Sequence, residues 1–312
     1  KLFKKLLWEY DVVLESFRPG VMQRLGCSFD ELKALKPELI YCSISGYGQL
    51  GPQAAKAGHD LNYMAETGVL NTTKNREITA LSGIQVADVA GGALYAVSAV
   101  LAAYIKVIKG GKGSFLDISM TDGLVSMLPL LSAYHYSLGL EPKPDTTIFN
   151  GQLACYNIYR TSDGREIALG ALEKKFWDNF CMVVDRADLA EGDHHEIERQ
   201  SYLKDELTKI FVSSDAVEWE CRLVGRDTCC EVLKTMTEVL QAPHFQTRKM
   251  FYEQKLANGS LLTQTNTAVM VNGTKPTTHN RAPELGEHTD MVLAEIGLAD
   301  AEIAALRKDN IV

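Results

Sequence analysis

Residues 11–20, DVVLESFRPG, and residues 39–52, LIYCSISGYGQLGP, each carry a short apolar run that leads into a turn or loop containing glycine. Apolar runs of this length, bounded by turn residues, are typical of buried strands. Between them, Ser28 is placed to cap a helix that we expect to run from Phe29 to Leu35. Strand, helix and strand at this spacing predict a βαβ unit, and with it an α/β fold around a parallel sheet.

Beyond this unit, the pattern continues with further helices and a strand. An apolar stretch over residues 86–108 is interrupted by Asp88 and two glycines, which favours a buried helix over a membrane span. Gly110-Gly111-Lys112-Gly113 follows, and such glycines either cradle a phosphate or stop the helix. Phe115 to Ser119 then predicts a strand, and Asp122 to Leu138 predicts a single helix.

A polar stretch over residues 141–152 interrupts the α/β pattern and predicts a domain boundary. After it, Ser162-Asp163-Gly164 separates two short apolar runs, which indicates a β-hairpin. We therefore expect a Rossmann-like large domain over residues 1–145 and a smaller α+β domain over residues 155–245. Residues 246–312 are expected to return to the large domain.

The composition narrows the class of protein. The chain has 312 residues, of which 46% are hydrophobic and 23% charged, and a formal net charge of −8. These values are ordinary for a globular enzyme, and the acidic balance argues against binding of nucleic acid. The seven cysteines include no C-x-x-C pair, so we expect reduced thiols and a cytoplasmic location. The adjacent Cys229 and Cys230 are either a redox-active pair or buried neighbours.

Several short motifs contain or adjoin residues suited to acid–base chemistry. Gly46 to Pro52 is a glycine-rich loop at the carboxyl end of the second strand, where open α/β sheets bind ligands; a plain surface turn is the alternative. His59 and Asp60 follow, and they supply either a base near neutral pH or a capping carboxylate beside a hydrogen-bonded imidazole. Asp88 and Glu173 each stand at the head of a predicted helix, where the helix dipole stabilises a carboxylate.

Glu191, Asp193, His194 and His195 bring the residue types of a metal site into one polar stretch. Adjacent histidines in a strand or loop are expected to point in opposite directions, so the two imidazoles are not expected to meet at one ion. We therefore expect no bound metal.

Motifs in a constant order along nearly the whole chain resemble the family III CoA-transferase superfamily. The matching segments are DVVLESFRPG (11–20), LIYCSISGYGQLGP (39–52), GHDLNY (58–63), ADVAGG (87–92), GGKGSFLDISM (110–120), YRTSDGREIALGALEKKFW (159–177), APHFQTRKMF (242–251) and GEHT (286–289). This resemblance implies an acyl-CoA substrate and an interlocked homodimer in which each chain threads through the other. It also implies a further βαβ segment ahead of residue 1, which in the family supplies part of the nucleotide pocket.

Within the superfamily, the candidate catalytic residues resemble those of the α-methylacyl-CoA racemase branch. There a histidine and an aspartate act as bases and a glutamate holds the histidine; His59, Asp88 and Glu173 match them. In the transferases, the aspartate matched by Asp60 attacks the thioester, and a glycine-rich loop often closes over the intermediate. This chain instead has Gly170-Ala171-Leu172-Glu173 at that place, which favours the racemase. The alternatives are a CoA-transferase and a non-catalytic CoA-binding or scaffold protein.

The same resemblance implies how CoA is held. Arg18 and Arg24 lie where family members place phosphate contacts, the alternative for each being a surface arginine. Tyr47 and Gly48 belong to the loop expected to receive the nucleotide. Guanidinium groups pair with phosphates through charge-assisted hydrogen bonds. No separate cofactor is expected, because CoA is part of the substrate.

Overall fold

A computed structural model describes the chain at residues 2–75, 78–256, 258–276 and 281–312. In this part of the chain the strands are β1 (Val12–Glu15), β2 (Ile40–Ser45), β3 (Lys74–Asn75), β4 (Ile78–Thr79), β5 (Phe115–Ser119), β6 (Tyr156–Arg160), β7 (Glu166–Gly170), β8 (Cys230–Val232), β9 (Phe251–Lys255) and β10 (Leu261–Thr265). The α-helices are α1 (Leu2–Leu6), α2 (Val21–Arg24), α3 (Phe29–Leu35), α4 (Asp60–Glu66), α5 (Val69–Thr72), α6 (Leu94–Ile108), α7 (Met120–Val125), α8 (Pro129–Leu138), α9 (Lys174–Val183), α10 (Gln200–Phe211), α11 (Ala216–Leu223), α12 (Met236–Gln241), α13 (Pro243–Thr247), α14 (Thr289–Glu295) and α15 (Asp300–Lys308). Short 3₁₀ segments lie at Leu7–Glu9, Ala187–Ala190 and Ile197–Arg199, and a π-helical segment, Ala87–Ala93, leads directly into α6.

The chain divides into two compact units, Lys1–Val232 and Leu233–Val312. The first unit contains buried side chains around the parallel sheet and a separate core formed after residue 150. The predicted domain bounds near residues 145, 155 and 245 stay a prediction. In the second unit, β9 and β10 pair as an antiparallel hairpin, and helices α14 and α15 pack against each other.

Three strands form the expected parallel sheet, in the order β1-β2-β5. The central strand β2 pairs in parallel with both neighbours, with Val12 opposite Ile40 and Tyr41 opposite Phe115. A central strand is shielded on both faces, and β2 is accordingly buried at every position except Ile44. The prediction of an α/β fold with a parallel sheet is confirmed. The segments that follow β2 and β5 leave the same edge of the sheet.

Helix α3 lies between β1 and β2 in the chain and has the predicted bounds. The Ser28 hydroxyl accepts the backbone N–H of Glu31, and the Glu31 carboxylate accepts the backbone N–H of Ser28 at 2.9 Å. This capping box pairs two amides that the helix leaves without partners. Leu32 is fully buried in the same core as Leu39, which anchors the helix beside the sheet.

The long apolar helix, formed by the π-helical segment and α6, is mostly uncovered in the single chain. Leu94, Val97 and Leu101 are each more than half exposed. In the most apolar 18-residue stretch of this helix, only 22% is buried. The prediction of a buried helix is therefore wrong for one chain, because only one side of α6 packs on β2 and β5. In the part of the chain that is described, Ala87–Ile108 is long and apolar enough to cross a membrane by length and composition.

The single helix predicted from Asp122 to Leu138 is instead two helices, α7 and α8. Pro129 begins α8; a proline lacks an N–H and disfavours helical geometry at the preceding residue, here Leu128. At the other end, Ser119 accepts the backbone N–H of Asp122 at 3.1 Å. Because Ser119 caps the helix, α7 starts directly after β5 and two residues earlier than expected.

The hairpin predicted around Ser162-Asp163-Gly164 is confirmed as β6 and β7, and β8 pairs antiparallel with β7. Trp177 of α9 and Trp219 of α11 are fully buried in one core with this sheet. Cys230 is buried and Cys229 partly buried, and both thiols are free. This arrangement agrees with the interpretation of the two cysteines as buried neighbours.

Candidate active site

Two tyrosines hold the glycine-rich loop after β2 against the start of α4. The Tyr63 hydroxyl donates to the Gly58 carbonyl oxygen at 2.6 Å, and its ring packs edge-on against Tyr47, with centroids 5.3 Å apart. A Cβ atom at Gly46 would lie 2.4 Å from the Tyr63 ring, and one at Gly58 would lie 2.6 Å from it. Glycine is needed at both positions, because any side chain there would displace the ring.

His59 and Asp60 stand at the N-terminus of α4, directly after this contact. His59 is exposed and forms the N-cap, and its backbone N–H donates to the Asn62 side-chain oxygen at 3.0 Å. Asp60 is the first helical residue and is partly buried. The aromatic contact therefore determines where the imidazole and the carboxylate are presented.

Asp88, in the π-helical segment, lies next to this pair. Its backbone N–H donates to Asp60 Oδ1 at 3.0 Å, across 28 residues of sequence. Although the residue is exposed overall, neighbouring atoms displace part of the water around its carboxyl. This desolvation, and after it the Asp60 charge, raises the pKa of Asp88, while His59 acts in the opposite direction. The three side chains therefore share one electrostatic environment.

A close crossing of the π-helical segment and α7 brings Asp88 to this position. A Cβ atom at Gly123 would lie 2.2 Å from the Gly91 carbonyl oxygen, and one at Gly91 would lie 2.6 Å from the Met120 carbonyl oxygen. Both contacts are to backbone atoms, which cannot rotate away. Only glycine permits the two backbones to approach this closely.

Asp117 on β5 also shapes the site, although the sequence analysis did not single it out. Its carboxylate oxygens accept the backbone N–H of Gln49 at 3.1 and 3.0 Å, and the Gln49 side chain donates to the Ser43 hydroxyl at 2.8 Å. These bonds tie the glycine-rich loop to the sheet. The available signal was a carboxylate between Leu116 and Ile118 in the strand FLDIS.

A cavity of about 330 Å³ lies beside this loop and is lined by Arg18, Gly20 and Gln49, together with residues of β1, β2, α3 and β5. Arg24 is close to it, because a Cβ atom at Gly20 would lie 3.5 Å from the Arg24 Nη1 atom. Burial raises the pKa of Tyr63, and the Arg18 charge opposes that rise. Arg18 therefore lines the cavity, with Arg24 nearby, and the charge of Arg18 acts on Tyr63 in α4.

The predicted CoA-binding residues Tyr47 and Gly48 are buried, and neither lines this cavity. The Lys56 ammonium group lies over the Tyr47 ring, 5.2 Å from its centroid. Gly48 adopts a φ of +79°, a left-handed conformation that glycine permits. In the structure these residues shape the loop, and their contact with CoA stays a prediction.

Glu173 stands on a different element from His59. It forms the N-cap of α9, three residues after Gly170 ends β7. Its charge acts on Cys229, whose thiol pKa is raised chiefly by burial. Among the described residues, no hydrogen bond or ion pair joins Glu173 to His59.

The prediction that His194 and His195 point apart is wrong. They lie in a turn, not in a strand, and their ring centroids are 4.1 Å apart. The Asp193 carboxylate accepts the backbone N–H of His195 at 2.9 Å, which closes a turn of the kind that aspartate favours. His194 is buried, whereas His195 is exposed.

Curated relatives include both isomerases and transferases. α-Methylacyl-CoA racemase from Homo sapiens is 29% identical over 100% of this chain and 81% of its own length. The racemase of Mus musculus is 30% identical with the same coverage. Succinyl-CoA:glutarate CoA-transferase from Homo sapiens is 26% identical over 95% of this chain and 68% of its own length. At these identities the class of reaction is not decided.

The fold is also found in a solved structure. A CAIB/BAIF family protein from Brucella suis matches with a TM-score of 0.79 at 24% identity, over 95% of this chain and 78% of that chain. The family model described as CoA-transferase family III matches residues 1–289. The order of the motifs, the parallel sheet and this match lead to one conclusion: the chain belongs to CoA-transferase family III.

Proposed function

We propose that the protein is an acyl-CoA racemase that inverts the α-carbon of a 2-methylacyl-CoA. The observation that carries the proposal is the hydrogen bond from Asp88 to Asp60, because it sets a further carboxyl beside the His59–Asp60 pair. Removal of a proton needs one base, but its return to the opposite face is best served by a second. The full-length similarity to two racemases supports the same choice.

In the proposed reaction, His59 and Asp88 serve opposite faces of the α-carbon. One takes the α-proton, and the electrons of the C–H bond move into the thioester carbonyl to form an enolate. The other then delivers its proton to the opposite face as the carbonyl re-forms. The raised pKa of Asp88 brings its proton affinity closer to that of an imidazole, which suits exchange in both directions. Backbone amides at a helix start supply donors of the kind that stabilise an enolate oxygen.

The alternative reaction is CoA transfer through Asp60. Its carboxylate would attack the thioester carbonyl and release the CoA thiolate, leaving a mixed anhydride. The thiolate would then attack the aspartyl carbonyl of the anhydride, releasing the acyl group as its carboxylate and forming an aspartyl-CoA thioester. The carboxylate of the same or another acid would attack this thioester, and the thiolate set free would take the new acyl group from the resulting anhydride and regenerate the Asp60 carboxylate. The position of Asp60 at the start of α4 and the similarity to a transferase favour this candidate. A non-catalytic CoA-binding role is the remaining alternative.

A homodimer is part of the proposal, as the family resemblance implies. In this scheme the Glu173 that orients His59 comes from the partner chain, because no hydrogen bond or ion pair joins the two among the described residues of one chain. The exposed apolar side of α6 supports such a partner: Leu94, Val97 and Leu101 would be covered by a second copy. Light scattering is expected to give twice the mass of the chain, and a well-folded monomer would remove this part of the proposal.

CoA is proposed to bind through Arg18 and Arg24, with its phosphates at the cavity beside the glycine-rich loop. Arg24→Ala is expected to weaken acyl-CoA binding, measured by calorimetry. Arg248→Ala, which changes an exposed arginine in the other unit, is the matched control. Equal affinity in the wild type and Arg24→Ala would reject Arg24 as a contact.

Exchange of the substrate α-proton with solvent deuterium tests the reaction. A racemase is expected to exchange it with no acyl acceptor and no cofactor. His59→Ala and Asp88→Ala should each abolish racemisation, while each retains exchange with one enantiomer through the remaining base. His135→Ala, at another exposed histidine, is the control.

Mass spectrometry, which measures this deuterium exchange, also detects the transferase reaction. Acyl-CoA with hydroxylamine or borohydride would then mark Asp60, and CoA would move to a free carboxylic acid. Transfer of CoA, without exchange on any 2-methylacyl-CoA tried, would overturn the proposed racemase.

A further inference from the structure

Three potential metal ligands lie close together, and none of them is among the residues proposed for catalysis. Cys155 directly precedes β6, and His194 and His195 lie in the turn described above. One ligand atom from each residue lies within 4.8 Å of the other two. Cys155 and His194 are buried and His195 is exposed. One thiol and two imidazoles form a mixed sulfur–nitrogen donor set that suits zinc.

The hydrogen bonding of His194 leaves one ring nitrogen available to a cation. Its Nε2 atom lies 2.9 Å from the Leu172 carbonyl oxygen. A carbonyl oxygen only accepts hydrogen bonds, so Nε2 carries the proton and Nδ1 carries the lone pair. Nδ1 is buried and has no hydrogen-bond partner in the described part of the chain. Because buried polar atoms are nearly always paired, this nitrogen, on an imidazole that is grouped with a buried thiol, points to a missing ligand.

Neighbouring side chains already hold the donors in place. Gln200 is buried; its oxygen accepts the Ala154 N–H at 2.7 Å, and its nitrogen donates to the His194 carbonyl oxygen at 3.0 Å. One side chain therefore ties together the two segments that carry Cys155 and His194. The Trp177 ring stacks on His194, with centroids 5.4 Å apart and planes at 8°. Zinc-binding histidines usually donate their second N–H to an outer acceptor, as His194 does to Leu172.

We infer that Cys155, His194 and His195 bind one zinc ion through Sγ, Nδ1 and an imidazole nitrogen, with water in the fourth position. As the sulfur–zinc bond forms, the thiol proton of Cys155 passes to solvent, and both histidines coordinate as neutral imidazoles. Water belongs on the exposed side of His195. The ion links the start of β6 to the turn that contacts Leu172, the residue before Glu173.

The three donor atoms need to approach one another only slightly to bind one zinc ion. Zinc–sulfur and zinc–nitrogen bonds of about 2.3 and 2.0 Å place tetrahedral donors about 3.3 to 3.6 Å apart. From separations of up to 4.8 Å, the closure is on the order of 1 Å. His195 is exposed, so its side chain is free to rotate by this amount.

Titration of the full chain with Co²⁺ tests this site, because a thiolate-to-cobalt absorption band reports a cobalt–sulfur bond. Reduced, chelator-stripped protein is expected to bind one equivalent of Co²⁺ with that band, and Zn²⁺ is expected to displace it. Cys155→Ser should abolish the band. His195→Ala removes a ligand itself, so it should weaken binding by at least the roughly 10- to 100-fold that loss of an outer-shell partner costs. Cys221→Ser and His135→Ala, at an exposed cysteine and an exposed histidine elsewhere, should leave both unchanged.

Absence of stoichiometric binding by the wild type, or persistence of the band in Cys155→Ser, would overturn the zinc site. His195 is exposed, so His195→Ala is expected to fold, which circular dichroism checks. An unchanged cobalt affinity in that folded variant would also overturn the site, even if Cys155→Ser fails to fold. With the site present, Zn²⁺ raises the melting temperature of the wild type more than that of His195→Ala, since a ligand stabilises the state that binds it.

Discussion

Gly123→Ala tests the helix crossing that positions Asp88. The added Cβ atom would lie 2.2 Å from the Gly91 carbonyl oxygen and 2.6 Å from the Gly91 Cα atom, whereas Cβ contacts below 3.0 Å essentially never occur. The two backbones must therefore separate by about 0.8 Å. No side-chain rotation relieves the contact, because both atoms of Gly91 belong to the main chain.

Two opposing contributions set the size of the effect. Alanine in place of glycine inside a helix favours folding by about 1 kcal/mol. Forcing a methyl group into a tight packing contact opposes folding by about 3 kcal/mol, the upper end of the usual range for overpacking, because rigid backbone resists it. We expect the free energy of unfolding to fall by about 2 kcal/mol in urea denaturation. We also expect slower α-proton exchange in the folded variant, because the separation moves Asp88 away from Asp60.

Gly83→Ala is the matched control. A Cβ atom at Gly83 meets open space, and its backbone is outside the left-handed region. Its free energy of unfolding should stay within about 0.5 kcal/mol of the wild type. The reasoning would be refuted if Gly123→Ala were as stable as Gly83→Ala, since the crossing would then have room for a methyl group.

Three further predictions address the charge, the capping and the thiols. Asp60→Asn keeps an oxygen that accepts the Asp88 N–H but removes a negative charge, so the pKa of Asp88 should fall part of the way to its ordinary value while desolvation remains. Because a carboxylate base is lost as pH falls through its pKa, the acidic limb of the pH–rate profile should move to lower pH; an unmoved limb would exclude this coupling. Ser28→Ala removes the hydroxyl that caps α3 and should lower the free energy of unfolding by about 1 kcal/mol in urea denaturation, and unchanged stability would contradict it. Iodoacetamide at about pH 8 should label the exposed Cys221 well before Cys42, whose burial raises its thiol pKa to about 11, and equal labelling rates by mass spectrometry would argue against that burial.

The elements of the sheet could be predicted because their signals are local. The apolar run of β2 and the Ser28 cap of α3 each act within a few residues, and both elements lie where the pattern places them. Ser162-Asp163-Gly164 predicts its hairpin for the same reason. The order of such motifs was also enough to indicate the family, which the match over residues 1–289 confirms.

Errors arose where a neighbour in space decides the outcome. The apolar composition of α6 indicates that its surface avoids water, but one chain covers only the side against the sheet. The directions of His194 and His195 depend on a turn closed by Asp193, so alternation along a strand does not apply. The missed break between α7 and α8 is different, because its cause, Pro129, is local and could have been read from the sequence.

The sequence by itself determined the residue types of the candidate site, its motifs and the elements that carry them. Only the tertiary structure decided that Asp88 meets Asp60 and that, among the described residues, no hydrogen bond or ion pair joins Glu173 to His59. The physical reason is that the preference of a segment for helix or strand is set by neighbours a few residues away in the sequence. The approach of Asp88 instead depends on two backbones that cross where Gly91 and Gly123 have no side chains.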